Sequence, residues 1–295
     1  SAEAISAALD VCAHSRDPFA RNVCANRALA GLDNQVREAL VAQAAEVSDT
    51  GAAMLVQHQN RWREAARVSC GVIDADAQPT GEQQTCLESE FRARAREVAT
   101  AVQRVGGYTF QRMELIDAAP VSAEIASSTG LGDAPAATTR DIRFPRIDGP
   151  QTEQVRRFND LVAQSPQFRL EQATNETVDY RIAYAGPELI SVRFDLSSDT
   201  LDGAHPTTTA KAVNVLMQEG RPLEARDVFR AGTGWEDFLT RSAVAEISRQ
   251  FQEDGFTPPE RDVRESVTKP HLWLITERGL MLIFPPYSFG APYVM

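Results

Sequence analysis

Four cysteines, all in the first third of the chain, most strongly constrain what this sequence can fold into. They are Cys12, Cys24, Cys70 and Cys86. An even number of cysteines in one short region is typical of disulfides made in an oxidising compartment. Their spacings of 12, 46 and 16 residues lack the short Cys-x2–4-Cys or His-x3–5-His pairs of a tetrahedral zinc site. His14 is the only imidazole near them in sequence.

Two structural disulfides are therefore the favoured interpretation, with a zinc site or paired free thiols as the alternatives. We predict the pairs Cys12–Cys24 and Cys70–Cys86, because each would close a short loop worth about 3 kcal/mol in the chain-entropy model. Cross-pairing stays open, since connectivity is not readable from sequence. The chain begins at Ser1 without Met or a basic segment, so we expect a mature, exported protein whose targeting segment or anchor has been removed.

The charge of the chain narrows its partners. The 295 residues carry a net charge of −11, of which residues 1–110 contribute −3 and the remainder −8. Nucleic acids and anionic lipids both need cationic contacts, so this surface disfavours them and favours cationic partners by long-range steering. The chain contains no run of 18 apolar residues, and we therefore predict no membrane span within it.

Residues 1–110 show helical periodicity. Three segments repeat apolar residues at helical spacing: Leu29, Leu32, Val36 and Leu40; Leu55, Trp62, Ala65 and Ala66; Leu87, Phe91, Ala95, Val98 and Val102. Amphipathic helices with short connections favour an antiparallel bundle. The cysteines fall near the ends of these segments, so we predict an all-α bundle stapled by disulfides.

The next segment changes in composition. Residues 117–140 are rich in Ala, Ser, Thr, Gly and Pro and show neither a helical nor a strand period. We interpret residues 111–140 as an interdomain linker. Just before it, 108–110 is predicted as a short strand or the tail of the bundle.

Residues 141–295 alternate with a period of two, which is typical of strands. The predicted strands are 178–184, 190–196, 207–218, 271–276 and 280–285, and the predicted helices lie near 151–164 and 234–254. Gly186-Pro187 joins the first two strands as a hairpin, and 277–279 joins the last two. We therefore predict a multidomain chain, with an all-α bundle followed by an α+β domain whose antiparallel sheet is covered on one side.

Motifs of catalysis are missing from the sequence. It contains no G-x-S-x-G, H-E-x-x-H, P-loop or G-x-G-x-x-G pattern, and its four histidines are scattered. We predict no catalytic residue, no metal and no cofactor. His205 is the histidine of most interest, because Gly203 and Pro206 place it in a tight turn. It is predicted either to pack on the sheet within its own loop or to contact a ligand.

A second candidate contact loop lies near the C-terminus. Pro286, Tyr287 and Phe289 follow the last predicted strand, and Tyr293 comes shortly after them. Aromatic side chains held by prolines form a rigid projecting surface, and Tyr is enriched at interface hot spots. The alternative interpretation is that Tyr287 and Phe289 cap the core of the sheet.

The first third of the chain resembles a known family. Cys12, Cys24-Ala25-Asn26, Leu32-Asp33, Gln59, Trp62, Cys70 and Thr85-Cys86-Leu87 are similar to the four-cysteine N-terminal domain of LprI-type lysozyme inhibitors. The resemblance covers about residues 10–105. It implies a secreted helical domain, and lysozyme inhibition is a hypothesis that it carries.

The rest of the chain resembles another family. ELISVRFD at 188–195, Asp202–Pro206, VNVLMQEGRPLEARDVF at 213–229 and GLMLIFPPYSFG at 279–290 are similar to the extracytoplasmic domain of RsiV-type anti-sigma factors and PdaC-type deacetylases. The resemblance covers about residues 140–295 and implies an α+β domain, which in some members binds lysozyme.

Together these patterns predict a non-catalytic binding protein of the bacterial periplasm or cell envelope. The expected partner is a lysozyme-like cationic protein or peptidoglycan. Two alternatives stay open: an envelope-acting hydrolase centred on His205, and an inert structural or assembly module of the envelope.

Overall fold

A computed structural model describes residues 1–14, 16–164 and 173–290. The first hundred residues form the helices α1 (Ala2–Leu9), α2 (Pro18–Ala25), α3 (Arg27–Ala44), α4 (Asp49–Ser69) and α5 (Gly81–Val98). Side-chain caps begin most of them, because the first amide groups of a helix have no partner inside it. Asn26 caps α3, Ser48 caps α4, and Thr80 caps α5 in a reciprocal pair with Gln83.

Strands follow directly after α5. The larger sheet contains β1 (Val102–Val105), β2 (Tyr108–Pro120), β3 (Ala137–Asp148), β4 (Thr174–Ala185), β5 (Leu189–Thr200), β6 (Thr207–Leu216) and β7 (Arg221–Pro222). Its seven strands lie side by side in chain order, and every neighbouring pair is antiparallel except β3 with β4. The hairpin of β8 (Trp273–Thr276) and β9 (Gly279–Leu282) forms a separate two-stranded sheet.

The remaining helices are inserted between or after these strands. They are α6 (Ala123–Ser128), α7 (Glu153–Gln164), α8 (Ala225–Val228), α9 (Trp235–Gln250) and α10 (Glu260–Val267). The two long predicted helices correspond to α7 and α9. The predicted hairpins correspond to β4–β5 and β8–β9, which confirms the alternating pattern as a sign of strands.

Both predicted disulfides are present. Cys12 pairs with Cys24 and Cys70 with Cys86, at Cα–Cα distances of 5.2 and 5.7 Å. They flank an apolar core in which the rings of Trp62 and Phe91 meet edge to face. Pairing of nearby cysteines is thus confirmed, and His14 instead contacts the Ala8 carbonyl oxygen at 2.7 Å.

The two faces of the large sheet carry different layers. Leu115 packs with Phe158 of α7 in one apolar cluster, whereas its neighbour Ile116 packs with Trp62 and Phe91 in another. Because successive residues of a strand point to opposite faces, α7 and the N-terminal helices lie on opposite sides of β2. The expectation of a sheet covered on one side is therefore corrected.

The C-terminal hairpin covers another part of the sheet. Ala210 and Ala212 of β6 pack against Leu274 and Ile283, while Val215 of the same strand belongs to the cluster around α7. The hairpin therefore lies on the face opposite α7, as the N-terminal helices do.

The segment 111–140, which we interpreted as a linker, is part of the sheet at both of its ends. Residues 111–120 belong to β2 and residues 137–140 to β3, and α6 lies between them. A strand period is hard to read in 117–120 and 137–140 because these stretches of β2 and β3 consist of Ala, Thr, Asp, Arg and Pro. The α+β class and the disulfides are confirmed. The division at 110 and 140 into separate domains stays a prediction.

Candidate functional site

Residues 283–290 form a segment that we call the C-terminal arch. It begins at Ile283, whose amide donates to the Leu272 carbonyl oxygen at 2.8 Å. Tyr287 and Phe289 have φ angles of 60° and 62°, and they are the non-glycine residues with positive φ in the described part of the chain. Residues other than glycine seldom adopt this left-handed backbone conformation, and those that do are concentrated at functional sites.

The Gly203–Pro206 turn lies beside this arch. His205 Nδ1 donates to the Pro206 carbonyl oxygen at 3.1 Å, because a carbonyl can only accept. The imidazole and the phenol ring of Tyr287 have centroids 6.4 Å apart and planes inclined by 27°. A Cβ at Gly203 would lie 3.0 Å from the Thr200 carbonyl oxygen, a tight contact that favours glycine at the turn. The two loops singled out in the sequence are thus neighbours.

The other predicted contact residues have different environments. Pro286 lies between two cavities and lines both. Phe289 packs on Phe284 with ring centroids 5.2 Å apart, so it belongs partly to the local core. Tyr293 lies outside the described residues.

An apolar cleft of about 840 Å³ separates the arch from α9. Phe238, Met281 and Tyr287 at this cleft have exposed fractions of 62%, 50% and 52%. A cavity of this size lined mainly by apolar side chains is typical of a binding site. The sequence interpretation missed the contribution of α9 to this cleft, because an exposed Phe238 cannot be told from a core residue by helical spacing. Its neighbour Leu239 is buried instead.

A second cleft of about 460 Å³ lies on the other side of the arch, over the sheet. Its floor is formed by residues of three adjacent strands, among them Thr177, Asp179, Arg193, Asp195 and Thr209. Ile283 to Pro286 form its apolar wall. The arch therefore lies between two clefts, one against α9 and one over the sheet.

A buried charge network joins α5 to β2. Arg94 donates from Nη1 and Nη2 to Glu114 at 3.1 and 2.8 Å, and from Nε to Gln59 at 2.9 Å. Arg112 Nε donates to the same carboxylate at 2.9 Å, and the Arg94 guanidinium lies over the ring of Trp62. Burial alone would raise the pKa of Glu114, but the two guanidiniums lower it to about 2.

His58 of α4 is buried near this network. Burial lowers the pKa of His58 to about 4, an effect that Glu114 opposes and Arg94 reinforces. Its Nδ1 has no hydrogen-bond partner within the described part of the chain. His58 is therefore a neutral core histidine, and its buried position shows no opening to a substrate.

A further polar contact joins α4 to β3. The Asp148 carboxylate accepts from the Ser48 amide at 2.6 Å and from the Ser48 hydroxyl at 2.7 Å. Burial tends to raise the pKa of Asp148, but these bonds and Arg146 lower it. Gly51 permits this approach, because a Cβ there would lie 2.8 Å from Asp148 Oδ1. These contacts fix α4 on the sheet.

Two kinds of feature, a metal-binding cluster and a membrane-spanning helix, are absent from the described ranges. No cluster of three or more His, Cys, Asp or Glu side chains there could hold a metal ion. Nor does any helix among those residues have the length and apolar character to span a bilayer.

Comparison with solved structures gives distant matches, among them two DUF3298-family proteins. A DUF3298-family protein from Pseudomonas aeruginosa PAO1 matches with 14% identity and a TM-score of 0.41, over 62% of this chain and 86% of that one. A DUF3298-family member from Bacteroides fragilis matches with 15% identity and a TM-score of 0.33, over 54% of this chain and 80% of that one. No family model matches this chain, and no curated protein shows a significant match.

The two neighbours belong to the DUF3298 family, a PdaC/RsiV-like extracytoplasmic domain type, and at these identities and TM-scores they assign no family to this chain. The LprI-type resemblance of residues 10–105 is not shown. At such low similarity, the function of this chain has to be argued from its own residues.

Proposed function

We propose that this chain is a non-catalytic binding protein of the bacterial periplasm or cell envelope, and that it binds lysozyme-like muramidases. The observation that carries the proposal is the pairing of His205 with Tyr287 at the rim of an exposed apolar cleft. Large aromatic side chains beside an apolar cavity supply most of the energy in many protein interfaces. An exposed aromatic pair at an apolar cleft supports a contact role for this surface.

Charge supports the choice of partner. The net charge of −11 attracts cationic proteins, and c-type lysozymes are strongly cationic. The two disulfides suit an oxidising compartment, which is where such a partner would be met. Both family resemblances include lysozyme-related members and support the same choice.

Calorimetry with purified protein and c-type lysozyme at low salt tests the proposal. We expect a complex at micromolar concentration or tighter and a loss of muramidase activity. Cytochrome c, which is also cationic, is the control for non-specific attraction. The absence of a lysozyme complex would refute the lysozyme proposal. Equal binding of lysozyme and cytochrome c would show that the attraction depends on charge alone, which would also refute specific recognition of lysozyme.

Variants locate the contact. We expect His205→Ala and Tyr287→Ala to weaken lysozyme binding at least tenfold without lowering the thermal midpoint. Leu131→Ala is a matched control, because Leu131 is an exposed apolar residue outside the arch. Loss of binding in Ile73→Ala instead would move the contact to the N-terminal helices, where Ile73 is exposed.

A peptidoglycan assay run beside these experiments separates the remaining alternatives. Cleavage of peptidoglycan that disappears in His205→Ala would replace the binding proposal with the hydrolase. A protein that binds neither lysozyme nor peptidoglycan and cleaves nothing would favour the inert envelope module.

A further inference from the structure

Four charged residues on β4 and β5 are arranged with like charges facing each other. The register pairs Asp179 with Asp195 and Arg181 with Arg193. Directly opposed residues on an antiparallel pair have Cβ atoms about 4.5–5.5 Å apart, and like charges at that distance destabilise the sheet. We call these four residues the charge quartet.

The charge quartet is only partly neutralised within the protein. Arg193 Nε donates to Asp195 along its own strand at 3.0 Å. Asp179 accepts from the Tyr180 amide at 2.8 Å. Within the described residues, no ion pair reaches Asp179 or Arg181, and both side chains are exposed.

The fold leaves the charge quartet open between two walls. Val178, Val192 and Phe194 pack towards α7, so their strand neighbours in the charge quartet point to the opposite face. On that face the N-terminal helices cover β2, and the C-terminal hairpin covers Ala210 and Ala212 of β6. The charge quartet occupies the strip between them, and three of its members line the second cleft beside the arch.

We propose that the charge quartet is a docking site for a protein surface carrying a cation and an anion about 7 Å apart, which is the spacing of two residues along a strand. The partner's cation lies over Asp179 and Asp195, and its anion lies over Arg181 and Arg193. Such a partner relieves both repulsive pairs at once, because each of its charges meets two of opposite sign. A purely cationic ligand would relieve one pair and be repelled by the other.

Retaining an unfavourable pattern also makes physical sense at a binding site. Sequences usually satisfy local electrostatics, and departures from this rule concentrate where function requires them. This inference rests on the proposed function and extends its contact surface from the arch onto the sheet. It also requires the partner's cation and anion to lie in a fixed order, whereas the net negative charge of the chain would attract any cationic partner.

Exchanging the two charges on β4 provides the test. The double variant Asp179→Arg/Arg181→Asp keeps the net charge and turns both opposed pairs into attractive ones. We expect its thermal midpoint to rise by about 1–3 °C, and its affinity for c-type lysozyme to fall at least tenfold. The control is Arg156→Asp/Asp160→Arg, a neutral exchange at exposed positions of α7 on the opposite face.

Each outcome separates the two proposals. If the wild-type protein binds lysozyme and the β4 exchange binds equally well, the docking role of the charge quartet is wrong and the proposed function stands. A lower thermal midpoint in the exchange would refute the premise that the pairs conflict. If the wild-type protein does not bind lysozyme, both proposals fall together.

Discussion

Arg94 of α5 and Glu114 of β2 form a two-bonded ion pair in which the arginine side chain is 1% exposed and the carboxylate 4%. The pair joins the N-terminal helices to the sheet within the core. Burying two charges costs solvation, and the cost is offset only when further hydrogen bonds complete the network. Arg112 and Gln59 supply those bonds.

Removing the carboxylate should therefore destabilise the protein strongly. Glu114→Gln leaves the Arg112 guanidinium without its carboxylate and leaves Arg94 with only the more distant Glu97, at 3.8 Å. We expect a loss of about 3–5 kcal/mol in the free energy of unfolding. Urea denaturation, monitored by circular dichroism, measures this loss in the free energy of unfolding. Glu46→Gln is the control, because Glu46 pairs with Arg104 at the surface and such pairs contribute about 0–1 kcal/mol. Similar losses in both variants would show that the buried pair has no special role.

Stability should also depend on pH through His58. Its pKa falls from 6.5 to about 4 on folding, so as the pH drops the unfolded chain takes up this proton first. The contribution of neutral His58 to the free energy of unfolding is complete above about pH 6.5 and is lost as the pH falls towards 4. Between pH 7 and pH 5 we expect wild-type protein to lose about 2 kcal/mol more than His58→Gln, measured by urea denaturation. Equal losses in the wild-type protein and His58→Gln would contradict the prediction.

Tyr287 offers a test of backbone strain at the arch. Its φ of 60° is accessible to glycine at little cost, and the ring is 52% exposed, so little packing is lost on removing it. Tyr287→Gly should keep or raise the free energy of unfolding by up to about 1 kcal/mol while weakening lysozyme binding. Tyr184→Gly in β4 should instead lower stability, since glycine weakens a strand. Parallel thermal denaturation of the two variants decides between these outcomes.

The disulfides should contribute separately. Cys70→Ser/Cys86→Ser releases a loop closed across 16 residues, and we expect a loss of about 3 kcal/mol. The loop of Cys12–Cys24 is shorter, at 12 residues, so Cys12→Ser/Cys24→Ser should cost slightly less. Denaturation with and without reductant gives the comparison, and reductant should leave the quadruple serine variant unchanged. An unaltered midpoint on reducing the wild-type protein would refute both values.

Local patterns predicted much of the fold. The alternation at 178–184 and 190–196 identified β4 and β5, because one face of that hairpin is buried against α7. Helical spacing identified α3, α4 and α5 for the same reason. The short helices α1 and α2 escaped prediction, since eight residues give too little periodicity. Strand β2 was missed beyond its first residues. Both of its faces are largely covered, so apolar and polar residues do not alternate clearly along it.

The buried charges were also missed, although the sequence holds a signal for one of them. Leu87, Phe91 and Val98 repeat at helical spacing, and Arg94 occupies the intervening core position of the same stripe. An arginine in an apolar stripe predicts a buried partner. That the partner is Glu114 could not be read, because it comes from another element. The closeness of His205 and Tyr287, 82 positions apart in sequence, likewise depends on the tertiary fold.

The long pairing of β2 with β3 has a practical consequence. It runs from Thr109 opposite Asp148 to Pro120 opposite Ala137, so a cut at residue 110 or 140 would fall within a strand. A fragment starting at residue 141 would lose β2 and expose β3 as an unpaired edge, which is a template for edge-to-edge association. If the two halves were expressed separately, aggregation through the unpaired strand edges would obscure any result on binding. Ligand assignment by truncation should give way to point substitutions in the intact chain.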